Sequence, residues 1–192
     1  SHPEELVAHA HLLGWQAVGI ADRFSCGGLV RAHMAIKDIA AQNNPDQKPV
    51  PSLSLDKLIC GVGVSLHNGG DILCYSRTLD GYHSLCQWLS AAMMRSGHNN
   101  RALPDMHTSD LVRLSSDVIV ITLPPVLADT DYREQARTIR LFAPGDVYVG
   151  GYLMRDGCDE ERLYRLSQEA AADNLGFVAV SYTHLRAHET SL

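Results

Sequence analysis

The chain has 192 residues, of which 45% are hydrophobic, enough to bury one sizeable core and consistent with a single domain. Its formal net charge is -6 and its Lys and Arg residues are scattered, so it lacks the basic stripe that neutralises successive phosphates in a direct nucleic-acid binder. Cys26, Cys60, Cys74, Cys86 and Cys158 form an odd set without a CxxC pair, which points to reduced thiols in a cytoplasmic protein. The longest apolar run, Val118 to Leu123, falls far short of the roughly 20 residues of a membrane span.

Taken in chain order, Ser1-His2-Pro3-Glu4 has the form of a capping box, and Leu6, Val7, Ala10 and Leu13 give helical spacing up to Gly14. No signal peptide is visible, and an opening in mid-pattern suggests that the natural start lies upstream. Ala17 to Ala21 reads as a buried strand. After the turn-like Ser25-Cys26-Gly27-Gly28, a helix is predicted from Leu29 to Ala41, then a loop from Gln42 to Pro51. Leu58 to Leu66 and Asp71 to Tyr75 flank His67-Asn68-Gly69-Gly70 as a hairpin. Helix follows from Gly81 to Met94, a short helix from Thr108 to Leu114, and a strand from Val118 to Leu123. The remaining pattern predicts helix at Asp131 to Phe142, strand at Val147 to Tyr152, helix at Asp159 to Leu175 ended by Gly176, and strand at Phe177 to Val180. Alternating strand and helix predict an α/β fold with a mainly parallel sheet, open or closed into a barrel.

The segment after Val180, Ser-Tyr-Thr-His-Leu-Arg-Ala-His-Glu-Thr, closely resembles the translated read-through of a transposon-type sequencing adapter. Residues 181–192 are therefore set apart as a non-native tail beside a domain of residues 1–180. His184 and His188, at a spacing that could ligate a metal on a helix, are excluded from site reasoning on that ground.

Several stretches carry a family likeness: Ser1-His2-Pro3-Glu4-Glu5-Leu6-Val7, Ala17 to Arg23, and Gly28-Leu29-Val30-Arg31-Ala32-His33. Leu58-Ile59-Cys60-Gly61, Asp80-Gly81-Tyr82-His83-Ser84-Leu85-Cys86 and Leu123-Pro124-Pro125 continue it in order. Together they resemble the PHP domain (polymerase and histidinol phosphatase domain) of error-prone bacterial C-family DNA polymerases. The resemblance implies an incomplete, distorted βα barrel, TIM-like, with its site at the C-terminal ends of the strands. It also implies that a first strand and the last ones lie outside this piece.

Active PHP enzymes hydrolyse phosphoesters with a cluster of divalent metals, which activates water and clamps phosphate oxygens. Measured against that pattern, the His-x-His pair of the first strand would precede Ser1. Asp22 matches the aspartate of the next motif and is the one candidate metal position, a vestigial one, because the histidine that often follows is Arg23, a fixed cation. Gly61, Val62 and Gly63 stand where a glutamate is usual. Asp71 could in principle ligate, although a lone hairpin aspartate is more often solvated. One or two carboxylates cannot hold a hydrolytic cluster. The expectation is therefore a non-catalytic scaffold, with no catalytic residue and no cofactor of its own.

His9-Ala10-His11 imitates a His-x-His pair, but inside a helix residues two apart point about 200° away from each other. Gly27-Gly28 lacks the GxGxxG and GxxxxGK patterns and reads as a tight strand-to-helix turn. His33, His83, His98 and His107 read as structural or solvent-facing, and Trp15 and Trp88 as core. The resemblance implies a parent enzyme that is a DNA-directed DNA polymerase of damage tolerance. Magnesium would be its cofactor, the downstream polymerase domains of the same chain would be the partners, and DNA would be bound through the parent enzyme rather than directly. No membrane partner is expected. The alternatives are a metal-dependent phosphoesterase of the PHP family, histidinol-phosphatase-like, and a pure interaction module.

Overall fold

A computed structural model describes residues 2–42, 58–96, 104–124, 132–154 and 157–180. The proposed tail, His98 and most of the loop predicted at Gln42 to Pro51 lie outside the described residues.

Helix α1 (Pro3–Leu12) starts one residue later than its capping pattern suggested. His2 is the N-cap, and Glu5 Oε2 reaches back to accept the His2 N–H at 3.0 Å. At the other end Gly14 adopts φ +68°, which lets the Trp15 N–H return to the Ala10 carbonyl at 2.9 Å and close the helix. That exit turns Trp15 outward. It is 58% exposed rather than part of the core, whereas Trp88 is buried, as expected, and donates its indole N–H to the Asp110 carbonyl at 3.1 Å.

Strand β1 (Val18–Arg23) runs two residues beyond the predicted end, and α2 (Gly27–Gln42) starts two residues before the predicted start. β2 (Leu58–Leu66) and β3 (Gly70–Ser76) make the predicted hairpin, with Gly70 at φ +65° supplying the turn geometry that a side chain resists. α3 (Leu79–Arg95) begins where Thr78 Oγ1 accepts the Gly81 N–H at 3.1 Å. A 3-10 turn at Thr108–Arg113 leads into β4 (Val118–Thr122), and α4 (Tyr132–Phe142), β5 (Val147–Gly151), α5 (Asp159–Ala172) and β6 (Gly176–Ala179) follow. Gly176 does not end α5. Asn174 does so, in the left-handed region at φ +54°, and Gly176 opens β6, where the Tyr148 ring would collide with a Cβ.

The strands form one six-stranded sheet in the order β1-β2-β3-β4-β5-β6. β1 pairs parallel with β2, and β4, β5 and β6 are parallel in succession. β3 alone runs against its neighbours, because a hairpin joins it to β2. Among the described residues the sheet is open rather than closed into a barrel.

Strand alternation divides the side chains between two faces. Val62, Val64, Leu66, Ile72, Cys74, Val118, Val120, Val147 and Val149 point to one face and join α3, α4 and α5 in the main core. A smaller cluster on the same face unites Val7 and Ala10 of α1, Val18 and Ile20 of β1, and Ala32 and Ile36 of α2. The opposite face carries Gly19, Ala21, Gly61, Gly63, Leu73, Tyr75, Ile119, Ile121, Tyr148 and Gly150. There the Tyr75 ring lies over Gly19 and Gly61, filling the space that side chains at those positions would need.

Candidate functional site

Strands β1, β2, β4, β5 and β6 point the same way, so their C-terminal ends share one edge of the sheet, which β3 joins with its N-terminal end. In parallel sheets this edge collects function, because loops leave it and helix N-termini face it. It holds Asp22 and Arg23 from β1, Ser65 from β2 and Asp71 from β3.

Asp22 faces the start of α2, where its Oδ2 accepts the Gly28 N–H. Gly27 donates its N–H to Ser25 Oγ at 2.9 Å, so two of the first free amides of the helix are satisfied by side chains of the preceding turn. Glycine is required at residue 28 because a Cβ would run into the Asp22 carboxylate. The carboxylate is thus committed to holding the strand-to-helix turn, and its negative charge suits the positive end of the helix dipole. Phe24 makes this turn possible by taking φ +52° while donating its N–H to the Gly63 carbonyl at 2.8 Å.

Arg23 points to the other side of β1. Its guanidinium stands 5.4 Å from the centre of the Phe24 ring and donates to Ser65 Oγ at 3.0 Å, while the Ser65 hydroxyl donates to Asp71 Oδ1. Cation, hydroxyl and carboxylate therefore form a chain across the ends of β1, β2 and β3. Asp71, read from sequence as a solvated hairpin residue or a possible ligand, is tied into that chain.

The three positions where a glutamate would be usual behave differently from one another. Val62 is fully buried on the helix side and cannot present a group to this edge from its present strand register. A side chain at Gly61 would meet the Tyr75 ring, and one at Gly63 would press on Leu73, its Cβ coming within 3.3 Å of Leu73 Cδ2.

A second polar group at this edge has no clear mark in the sequence. His67, just past the end of β2, has its ring centre 5.1 Å from that of His107, with the planes at 52°. Asp105 Oδ1 lies 3.3 Å from His107 Nε2 and 4.0 Å from His67 Nε2. The pair joins residues forty positions apart, so no local spacing signals it. The side chains of His67 and Asp105 are exposed, and that of His107 is partly so. His9 and His11 sit on α1 with His9 exposed, as helical geometry requires.

Among the described residues, no group of three or more His, Cys, Asp or Glu side chains converges so as to hold a metal ion. The donor set does not fit a phosphoesterase metal cluster: Asp22 is a helix-turn acceptor, Asp71 is paired through Ser65 to a cation, and position 23 is itself positively charged. Among the described residues, no helix is long and apolar enough to cross a membrane.

No protein-family model matches the chain. The error-prone DNA polymerase of Brucella abortus biovar 1 (strain 9-941) is 28% identical over 182 residues, covering 94% of this chain and 16% of that protein. The error-prone DNA polymerase of Bordetella parapertussis is 28% identical over 203 residues, 100% of this chain and 18% of its own length. That of Rhodopseudomonas palustris (strain BisB5) is 31% identical over 94% of this chain and 15% of its own. The chain thus spans less than a fifth of the length of these relatives. Among solved structures, a protein of Bifidobacterium adolescentis assigned as a metal-dependent phosphoesterase superposes with TM-score 0.60 at 15% identity, over 93% of this chain and 81% of that one. An amidohydrolase of Chromobacterium violaceum gives TM-score 0.55 at 14% identity, over 92% and 82%.

Proposed function

We propose that this chain is the PHP-like scaffold domain of an error-prone DNA polymerase and performs no hydrolysis of its own. The parent enzyme, on this reading, is a DNA-directed DNA polymerase acting in the cytoplasm in repair and damage tolerance, with magnesium serving nucleotidyl transfer in its other domains. DNA is engaged by those domains rather than by this acidic chain.

The observation that carries the scaffold reading is the Arg23–Ser65–Asp71 chain at the strand ends, together with the commitment of Asp22 to the α2 turn. A cluster that activates water needs several unpaid carboxylate and imidazole donors converging on one point. At this edge the polar groups satisfy one another. The short span of the chain relative to its relatives, and a sheet face on which Tyr75, Ile119 and Tyr148 are only partly buried, support packing against further domains of the same polypeptide.

A phosphoesterase of the PHP type would share the fold but needs a different donor set. The purified chain, given manganese with p-nitrophenyl phosphate or with labelled single-stranded DNA, should show no turnover above the protein-free blank. Manganese-dependent hydrolysis that disappears in D22A would sink the scaffold reading. Reading the gene beyond this segment tests the parentage: a nucleotidyl-transfer domain in the same frame supports it, and a complete gene without one refutes it.

A further inference from the structure

The tip of the β2–β3 hairpin sets an asparagine before a glycine, and Asn68-Gly69 is the one Asn-Gly step in the chain. Asn68 is exposed, whereas Gly69 is buried behind it. A Cβ on Gly69 would come within 2.7 Å of Thr108 Oγ1 and 2.9 Å of Leu66 Cδ1, so packing of the hairpin against the 3-10 turn demands glycine there. The fold thus keeps, directly after an exposed asparagine, the residue that least hinders attack by its own backbone nitrogen. Nothing in the proposed scaffold role uses this pair.

We propose that Asn68 is a site of spontaneous covalent modification, converting through a cyclic imide with Gly69 into aspartate and isoaspartate. Asparagine is among the thermally labile side chains, and this position exposes it. In the first step the Gly69 N–H gives its proton to a solvent base, and the nitrogen attacks Asn68 Cγ. A bond forms between Cγ and the Gly69 nitrogen, the Cγ–Nδ2 bond breaks, and the leaving NH2 group takes up a proton and departs as ammonia. In the second step water opens the ring. Breaking the new bond to Cγ gives aspartate with the original backbone. Breaking the bond between the Asn68 carbonyl carbon and the Gly69 nitrogen gives isoaspartate, whose backbone runs through Cγ and is a methylene longer. One asparagine and one water give one aspartyl or isoaspartyl residue and one ammonia, with no other reagent.

The hold on the attacking nitrogen distinguishes Asn68 from Asn174, the other asparagine among the described residues and also exposed. The Gly69 N–H reaches the Leu66 carbonyl at 3.4 Å, beyond the roughly 2.7 to 3.2 Å of a firm bond, so this amide is only loosely tied. Gln135 of α4 holds the carbonyl of Gly69, which lies beyond its Cα and outside the peptide that must turn. At Asn174 the attacking nitrogen would be that of Leu175, whose N–H donates to the Ala170 carbonyl at 2.9 Å and whose branched side chain is buried. Leu175 is thus fixed where Gly69 is not. Conversion at Asn68 adds a carboxylate next to His67, which already faces Asp105 at the strand-end edge.

The test incubates the 192-residue chain folded at mildly alkaline pH and, in parallel, unfolded in guanidinium chloride, until the unfolded sample has lost most of its unmodified Asn68 peptide. Peptide mapping by mass spectrometry reads the exchange of NH2 for OH, and fragmentation of the backbone separates isoaspartate from aspartate. The expected result is loss of the unmodified Asn68 peptide from the folded sample as well, with isoaspartate among the products and the Asn174 peptide retained. N68Q keeps an amide but needs a larger ring, so its hairpin peptide should stay unmodified. Persistence of unmodified Asn68 in the folded sample, loss of the Asn174 peptide ahead of it, or conversion to aspartate with no isoaspartate would each overturn the proposal. The peptide map of the unsubstituted chain decides the matter even if N68Q fails to fold.

Discussion

Asp22 offers a direct way to separate a structural carboxylate from a metal-binding one, because the two roles predict opposite responses to the same substitution. In D22A the Gly28 N–H loses its acceptor and the start of α2 loses a negative charge at its positive end. Loss of a side-chain cap costs about 1 kcal/mol, and loss of an anion near a helix N-terminus costs about 0.3 to 1 more. The sum is roughly 1 to 2 kcal/mol, which for a domain of this size lowers the melting temperature by roughly 3 to 6 °C. D22N keeps the acceptor and removes only the charge, so it should fall by less than half of that. Thermal melts of wild type, D22A and D22N in the presence of EDTA and again in manganese make the comparison. The structural role predicts that the ranking and spacing are the same in both. Refutation would be a wild-type melt that rises with manganese by several degrees while D22A stays still, since that is the signature of ligand binding to the native state through this residue.

Three further perturbations follow from the packing and the electrostatics. A Cβ at residue 61 would collide with the Tyr75 ring, so G61A should destabilise by about 1 to 3 kcal/mol in chemical denaturation. Shortening the neighbour in G61A/Y75L should recover part of that loss, and an additive double variant would contradict the contact. Asp173 is held well below the usual carboxylate range by hydrogen bonds from Arg133 and Arg137. A depressed folded-state value stabilises the protein above the unfolded value of about 4 and ceases to do so as pH falls through the folded one, so melts between about pH 5 and about pH 2 should decline less steeply in D173N. At the strand ends, a double-mutant cycle on Arg23 and Asp71 should yield a coupling of about 0.5 to 1 kcal/mol, as for a partly exposed charge network. S65A should remove that coupling, and a coupling that survives in S65A would show that the hydroxyl does not bridge them.

Much of the fold was legible because its signals are local. Periodicity located every strand and helix among the described residues, and the glycine-rich turn after His67 identified the β2–β3 hairpin that makes β3 run against the rest. Element ends were less legible. β1 extends to Arg23 because Arg23 pairs with Gly63 in register on β2, a tertiary fact that composition does not carry. Trp15 reads as core by helical spacing, yet the left-handed Gly14 ends the helix before it and swings it outward. At the candidate site the sequence marked Asp22, Arg23, Gly61, Gly63 and Asp71 through family likeness. It could not indicate that Ser65 links Arg23 to Asp71, or that Asp105 sits between two histidines, since these depend on strand register and loop return.

The strand-end geometry explains how such a domain keeps its fold with a donor set unsuited to metal. A carboxylate at the end of a strand, partly withdrawn from water, must be neutralised or hydrogen-bonded by something, and in a metalloenzyme the ion does this. Here the demand is met twice from within. The amide at the start of α2 takes Asp22, and a guanidinium acting through one hydroxyl takes Asp71. Each solution uses a residue that would hinder an ion: a helix amide competes for the carboxylate, and a fixed cation repels any divalent ion placed beside it. Tyr75, lying over Gly61, fills space that a ligand side chain would need. Reversing one of these features would leave the others in place, so restoring a metal centre would require coordinated changes on β1, β2 and β3. These side chains thereby serve the stability of the strand-to-helix turn and of the three-strand edge.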